Sequence, residues 1–590
     1  MVFYKSRQRL IHKLIYSVLI MSLFLLLSCA HVYQKADMQW DYVSQNLPSE
    51  NILTPLNAPS LALLKGEPVL LWFDAKGQLL FKKDKEPQAL HRESPPNSML
   101  SMPSLYADDR LATVCWRAKL REAIEGTGTP GNKLLLCRSS RDGMTFGKTQ
   151  RVNTGGGVLQ SYITGNGLGD IYALWIDERA STQYDLYFNV SHDKGESWKD
   201  QDIRLDPGDP GSTRSLLPSI FAEGEKILLA WVEGGQNDVS ILFRSSQDRG
   251  EHWTDPVVVH TQATLTGGLT LLSGARLLIY WYDYEGVHGA SSEDDGKTWQ
   301  AVPDIFKGQD VTELKAVHTQ KGNILTVFGI APQGAKEDIY ASVSGDGIRF
   351  AAPVRLDTNT PNFSTSTSPE IVEDKSGSIY VIWRDYRNFK PQLFYNQSKD
   401  NGRTWLQDDL RVLTGRDLRC INPRVASGLK EGFWLLFEGY ENEDLERGTL
   451  YLTKDVQGER YTASDRGDTH LERLRERVSK FWSDRLVSDW GGNYDLLDPF
   501  YKKRITRDAY ISSQFKTIYH AFQIKDIKIT ENTASVTINY TLEVPEFISA
   551  SGKNLKVPKR DEVITEEWIW YDGDWFRLFK DLMGGTFIER

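Results

Sequence analysis

Cysteine is scarce in this 590-residue chain: there are four, and Cys29 stands apart from the other three. Cys115, Cys137 and Cys420 cannot all pair, so no disulfide framework organises the fold, and no Cys/His cluster has zinc-ligand spacing. A basic excess is also missing. Lys and Arg number 70 against 79 Asp and Glu, a formal net charge of -9, which speaks against a nucleic-acid partner. Beyond residue 27 no stretch is apolar enough to span a bilayer. There is no Gly-x-Ser-x-Gly, His-Glu-x-x-His, P-loop or dinucleotide fingerprint. The expectation is therefore no cofactor and no resident metal. Hydrophobic residues at 40% and charged residues at 25% exclude a disordered or collagen-like chain.

The chain begins with an address. Lys5, Arg7, Arg9 and Lys13 precede an almost wholly apolar run from Leu14 to Leu27, too short for an ordinary membrane span. Leu26-Leu27-Ser28-Cys29 follows and resembles the bacterial lipobox, in which the Cys is lipidated and becomes the new N-terminus. The resemblance implies a signal peptide at 1–28, a lipidated Cys29 with a linker to 49, and attachment to the cell envelope. Ala30, a residue other than Asp after the Cys, implies outer-membrane sorting if the source is Gram-negative. Cys115 and Cys137 lie on consecutive expected strands; a cross-strand bridge and two buried thiols both remain open.

One pattern recurs, Ser-x-Asp-x-Gly-x-x-Trp. Its full copies start at Ser191, Ser246, Ser292 and Ser398, with acids Asp193, Asp248, Asp294 and Asp400. Two worn copies, Ser139 to Phe146 and Val343 to Phe350, keep the glycine and a closing aromatic. The closing aromatics are 46 to 55 residues apart. An Asp carboxylate can collect turn amides, Gly supplies a conformation costly for other residues, and Trp can return into a sheet. These eight residues resemble the Asp box, or BNR repeat, of sialidases and other β-propellers. The resemblance implies that the four acids are structural.

A second element repeats upstream: a strand ending in Trp with an acid two residues on. It is seen at Trp72/Asp74, Trp175/Asp177, Trp231/Glu233, Trp281/Asp283 and Trp383/Asp385. Divergent copies stand at Trp116, Phe328 and Phe437-Glu438. They count eight units of about 50 residues between 50 and 465. The expected fold is mainly β, a multi-bladed β-propeller. Eight blades follow from the count, six if the end units pair differently, seven if the termini share one blade.

On propeller geometry the turns after the second strands ring one mouth. Asp177, Glu233, Asp283 and Asp385 would meet there with Arg117, Arg179, Arg387, Tyr282 and Tyr284. Such a set can bind a sugar or another polar ligand, and the acids can hold a calcium ion. The alternative is that each acid caps its own turn and pairs with an Arg of the same loop. Sialidase chemistry requires three carboxylate-clamping arginines, a Tyr/Glu nucleophile pair and an Asp acid/base. The chain lacks the family's early Arg-Ile-Pro. Arg117, Arg214, Arg387 and Arg424 offer arginines, Tyr282 or Tyr284 with Glu233 a nucleophile pair, and Asp177 an acid, with no motif to anchor the choice. The family's catalytic set is therefore not carried over, and whether the chain is an enzyme stays open. Three functions stand: a lipid-anchored platform recognising glycans or envelope proteins, a divergent exo-glycosidase, and an assembly scaffold.

After about residue 465 the pattern changes. Leu471, Leu474, Val478, Phe481 and Trp482 have helical spacing, a short helix is expected around Tyr494 to Lys503, and four strands follow. Helices ahead of a curled sheet, closed by Trp568-Ile-Trp570 and Asp572-Gly-Asp-Trp575, resemble the NTF2-like (SnoaL-like) domains. The resemblance implies a small α+β domain over 466–590.

Overall fold

The computed structural model describes residues 35–41, 49–52 and 58–580, except short segments at 75–76, 84–85, 91–93, 96–97, 121–132, 181–182, 235–237, 263–266, 309, 333–335, 360–363, 415–417, 429–431, 441–447, 457, 461–466, 515–516 and 549–553. Residues 1–28, the expected signal peptide, and Cys29 lie outside the described residues. The chain is mainly β and divides into two compact units. One comprises Met1–Ala263, Gly296–Thr298 and Arg424–Lys454, the other Thr264–Asp295, Trp299–Pro423 and Asp455–Arg590.

In the first unit, four sheets of four antiparallel strands follow one another at 60–89, 99–151, 158–204 and 214–262. A further sheet pairs Phe433–Tyr440 with Gly448–Lys454 and takes in Lys35–Asp41 parallel to the latter. Second strands are the most buried: Ile171–Asp177 and its neighbour Asp185–Ser191 are buried at every position. That pattern reflects covering on both faces, since alternation is seen only where one face meets water. Cys115 and Cys137 stand directly opposite one another on adjacent strands and form a disulfide.

The second unit holds sheets of the same kind at 267–307, 311–355 and 366–412, the last extended by Gly458–Arg460. It also holds the C-terminal domain. Helix Gly467–Leu486 buries Leu474, Val478, Phe481 and Trp482 against the four-stranded sheet Ile518–Thr530, Thr533–Ile548, Asn554–Tyr571 and Asp574–Arg577. Pro499 opens the short helix Pro499–Lys502, where its missing N–H costs nothing, under an Asp498 cap. Asp572 and Gly573, both at positive φ, make the closing hairpin turn.

The Asp boxes are turns wired by one Ser and one Asp. In the box at 191–198, Ser191 Oγ donates to Asp193 Oδ1 (2.7 Å) and accepts from Gly195 N (2.8 Å), while Asp193 takes Ser197 N (2.9 Å) and Ser197 Oγ (2.6 Å). The box at 398–405 repeats this wiring. The glycine is needed twice over: Gly195 and Gly250 have φ of 84° and 90°, and a Cβ would strike Ser139 and Phe188 of the preceding sheet. The box aromatic lies on the same neighbour, Trp253 against Phe188 at 5.2 Å and Phe350 against Tyr280 at 5.6 Å.

The two worn copies prove to be intact boxes one residue shorter. Ser140-Arg-Asp142-Gly143 and Ser344-Gly-Asp346-Gly347 keep both the serine and the acid. The deleted residue is the one that full copies hold at positive φ, Lys194, Arg249, Asp295 and Asn401. Backbone amides of Thr145 and Met144 hold the Asp142 carboxyl at about 2, and those of Arg349 and Ile348 do the same for Asp346.

Candidate functional site

The acid two residues past each second-strand Trp lies on the same face as the indole, because side chains alternate along a strand. Trp175 Nε1 donates to Asp177 (3.0 Å), Trp231 Nε1 to Glu233 (2.7 Å) and Trp383 Nε1 to Asp385 (3.4 Å). A buried indole N–H needs an acceptor, and these acids supply it. Asp177 also accepts Arg179 N (2.8 Å) and Arg179 Nη2 (2.7 Å). Arg179 Nη1 then reaches Asp202 (2.8 Å), and the guanidinium lies 4.0 Å from the Tyr187 ring centre. Asp385 and Arg387 repeat this, with Asp409 in place of Asp202 and Phe394 beneath the guanidinium at 3.9 Å.

Asp202 and Asp409 escape a search by sequence motif, yet a signal exists. Each stands four residues past a box Trp, Trp198 and Trp405, in the two units whose turn carries the Arg. Glu233 also accepts Ser215 Oγ (2.7 Å), and Asp283 accepts Glu285 N (2.7 Å) and His288 Nε2 (2.9 Å). Arg117 donates to Ser101 Oγ and the Leu159 carbonyl, both at 2.9 Å. Tyr284 is 64% exposed.

A second cluster of polar groups belongs to the second unit. First strands carry bulges. Register breaks between Gly267 and Thr270, between Val311 and Leu314, and between Thr367 and Glu370 set Gly268, Thr312, Glu313 and Ser368 off the ladder. Gly268 and Ser368 have φ of 60° and 57°. The glycines at 267 and 268 leave room for the Tyr282 ring, since a Cβ on either would strike it. Tyr282 donates its hydroxyl to the Thr312 carbonyl at 2.6 Å. The bulged Ser368 N donates to Glu313 Oε1 at 3.1 Å, and Thr312 Oγ1 donates to Glu337 Oε1.

Glu337 fills the space left by a missing side chain. The sheet at 311–355 has Phe328-Gly329-Ile330 where five sheets have Trp-x-acid, and the Glu337 carboxyl lies where a Cβ on Gly329, the x position, would be. Burial pushes Glu337 up to about 7, with the charge of Glu313 adding to the rise and Thr312 and Arg384 opposing it. Burial also raises the Tyr282 phenol, reinforced by Glu313 and Glu337. Arg384 grips Thr367 Oγ1 with Nε (3.1 Å) and Nη2 (2.9 Å), lies 5.5 Å from the Tyr386 ring centre, and makes no hydrogen bond through Nη1 among the described residues. A carboxyl that titrates near neutrality, a second acid, a guanidinium and two phenols can bind hydroxyl-rich ligands and can pass a proton. Glu313, Glu337 and Arg384 were not singled out by sequence; their mark is the broken repeat at Gly329.

Among solved structures, the chain is similar to an α-L-arabinanase from Penicillium chrysogenum, with 17% identity, 51% of this chain and 94% of that chain covered, and a TM-score of 0.36. It is also similar to an ulvan lyase (11%, 74% and 98% covered, TM-score 0.42) and to Trypanosoma rangeli sialidase (14%, 55% and 56% covered, TM-score 0.32). No curated protein matches. Residues 235–463 match the model of the BNR repeat-like domain.

Proposed function

We propose that this chain is an envelope lipoprotein whose BNR-repeat region is an eight-bladed propeller that recognises a glycan, with the site built from Tyr282, Glu313, Glu337, Arg384 and Tyr386. The observation that carries the reading is the convergence of these side chains beside the bulges of the first strands, with the Nη1 of Arg384 left over. Carboxylates and a guanidinium hydrogen-bond sugar hydroxyls, and phenol rings stack on sugar faces. The four- and five-stranded sheets of the repeat region support eight blades. The order of helices and strands after 467 supports an NTF2-like domain. The lipid anchor rests on Leu26 to Cys29. A glycan array probed with wild type, Arg384→Ala and Glu337→Gln tests the site. The expected result is a glycan bound by wild type and lost in Arg384→Ala; equal binding by all three overturns it. Cys29→Ser should move the protein out of the membrane fraction.

A second reading, a divergent glycosidase, is favoured by Glu337. A carboxyl near 7 beside a second acid is the pairing that acid/base hydrolysis of a glycosidic bond uses. Hydrolysis of an aryl glycoside by wild type and not by Glu337→Gln would select it over pure recognition.

A further inference from the structure

Around Phe481 the C-terminal domain gathers two guanidinium groups and one carboxylate. Helix Gly467–Leu486 lays Trp482 against Tyr519 (5.7 Å between ring centres) and Tyr540 (4.9 Å). Three residues along, Arg485 lies over Trp482 at 4.9 Å, over Tyr519 at 5.3 Å and over Phe481 at 4.5 Å. Its Nε donates to Asn493 Oδ1 at 3.0 Å, and Asn493, itself fully buried, is fixed by Nδ2 on the Phe481 carbonyl (2.7 Å). The Tyr510 hydroxyl stands beside the guanidinium. Among the described residues Arg485 makes no ion pair.

A second guanidinium shares the same ring: Arg577 is 5.1 Å from the centre of Phe481. The nearby carboxylate, buried Glu566, is already taken, by Arg577 Nε at 2.8 Å and Trp482 Nε1 at 3.2 Å. Two cations therefore face one anion. Burial lowers the affinity of Arg485 for its proton, and the charge of Arg577 lowers it further. Arg485 is half-buried, a cation there without a counter-ion is costly, and a buried Asn holds it oriented for a group that brings the missing charge.

We propose that Arg485 anchors a second ligand site, in the C-terminal domain, for a small organic carboxylate with a flat apolar body. The missing charge is a single negative one. A carboxylate matches the guanidinium fork with two parallel hydrogen bonds, and Tyr519 and Tyr540, half-buried beside it, offer aromatic area for the body of the ligand. A phosphate dianion would overcompensate the charge and meet Glu566.

The test uses the full chain and 4-fluorobenzoate, followed by ¹⁹F NMR of the ligand and by calorimetry. The neutral isostere 4-fluorobenzamide and inorganic sulfate are the controls. The expected result is saturable 4-fluorobenzoate binding, at least about tenfold weaker for the amide, as loss of a charge-assisted pair implies. Arg485→Gln should weaken it by about tenfold or more, and Arg485→Lys by less. Glu337→Gln should leave it unchanged, which separates this site from the glycan site. Absence of saturable binding up to about 10 mM, or equal binding by Arg485→Gln, overturns the proposal. Equal binding of acid and amide does the same. Should Arg485→Gln fail to fold, Tyr540→Leu decides: weakened binding supports the site, unchanged binding overturns it.

Discussion

Two turns of the molecule share the sequence Trp-x-Asp-x-Arg and differ in their surroundings. At 175–179 the Asp177 carboxylate sits in a cradle of small residues: a Cβ on Gly157 would strike it, and one on Gly155 would strike the Arg179 guanidinium. At 383–387 serines stand instead, Ser364 and Ser366 donating to Asp385 at 3.2 and 3.0 Å. The second acids match as well: Thr154 N donates to Asp202 and Thr358 N to Asp409. Covering is where they part. Arg179 retains 15% side-chain exposure and Arg387 3%. The C-terminal domain lies over the latter turn, Asn532 Nδ2 donating to the Arg387 carbonyl (2.9 Å) and Asn388 Oδ1 (2.7 Å). Phe389 joins Phe500, Ile569, Tyr571, Phe576 and Leu578 there, and Lys390 faces Asp572 at 3.4 Å. One motif thus serves as a self-contained brace in one place and as a docking platform in the other.

The largest effect expected is from Arg387→Ala, which strands Asp385 and Asp409 in the interior and should cost about 3–5 kcal/mol. Arg179→Ala leaves its acids nearer to water and should cost about 2 kcal/mol. Urea denaturation of both variants measures the contrast, and equal losses would break it. Phe389→Ala should loosen the C-terminal domain by about 2 kcal/mol and raise its susceptibility to protease, an effect with no counterpart at the turn of Asp177 and Arg179. Asp193→Ala should cost about 1–2 kcal/mol without change in glycan binding, the signature of a brace and not a contact. The pH dependence of the boxes follows from their amides: Asp142, Asp248 and Asp346, held at about 2 by backbone donors, stabilise the fold fully above about pH 4 and lose that contribution as pH falls towards 2. The sign is opposite at Glu337, whose raised value makes stability fall as pH climbs from about 4.5 through 7. Glu337→Gln should therefore be more stable than wild type by up to about 3 kcal/mol at pH 8 and equal to it at pH 4, as thermal melts at the two values would read.

The repeat, the boxes and the C-terminal helix and hairpin were legible because each depends on residues close in sequence. Leu474, Val478, Phe481 and Trp482 are buried as their spacing predicts. The short boxes escaped because a fixed template cannot follow the loss of its left-handed residue. The bulges escaped too, although a Pro follows the positive-φ residue at Met102, Leu217, Ser368 and Asn422, a periodic mark that strand alternation hides. Pairings such as Arg387 with Asp409, or Tyr282 with the Thr312 carbonyl, join residues more than twenty positions apart and depend on the packing of whole sheets. Acids that look like a ring of ligands by type therefore resolve into indole acceptors and turn caps only once each partner is placed.

The parallel pairing of Gln39–Asp41 with Thr449–Tyr451 has a consequence for how the chain is made. Residues 39–41 leave the ribosome with their partners roughly four hundred residues still to be made, so the first strand, paired only with Ser49–Ile52, waits for its second neighbour while the intervening sheets form. Closing so long a loop comes late in folding, when most of its entropy has already been spent by the sheets between. A chain in that waiting state leaves a strand edge free, and its escape from aggregation would depend on a chaperone holding the early segment or on sheets that fold fast enough to bring the late one to it.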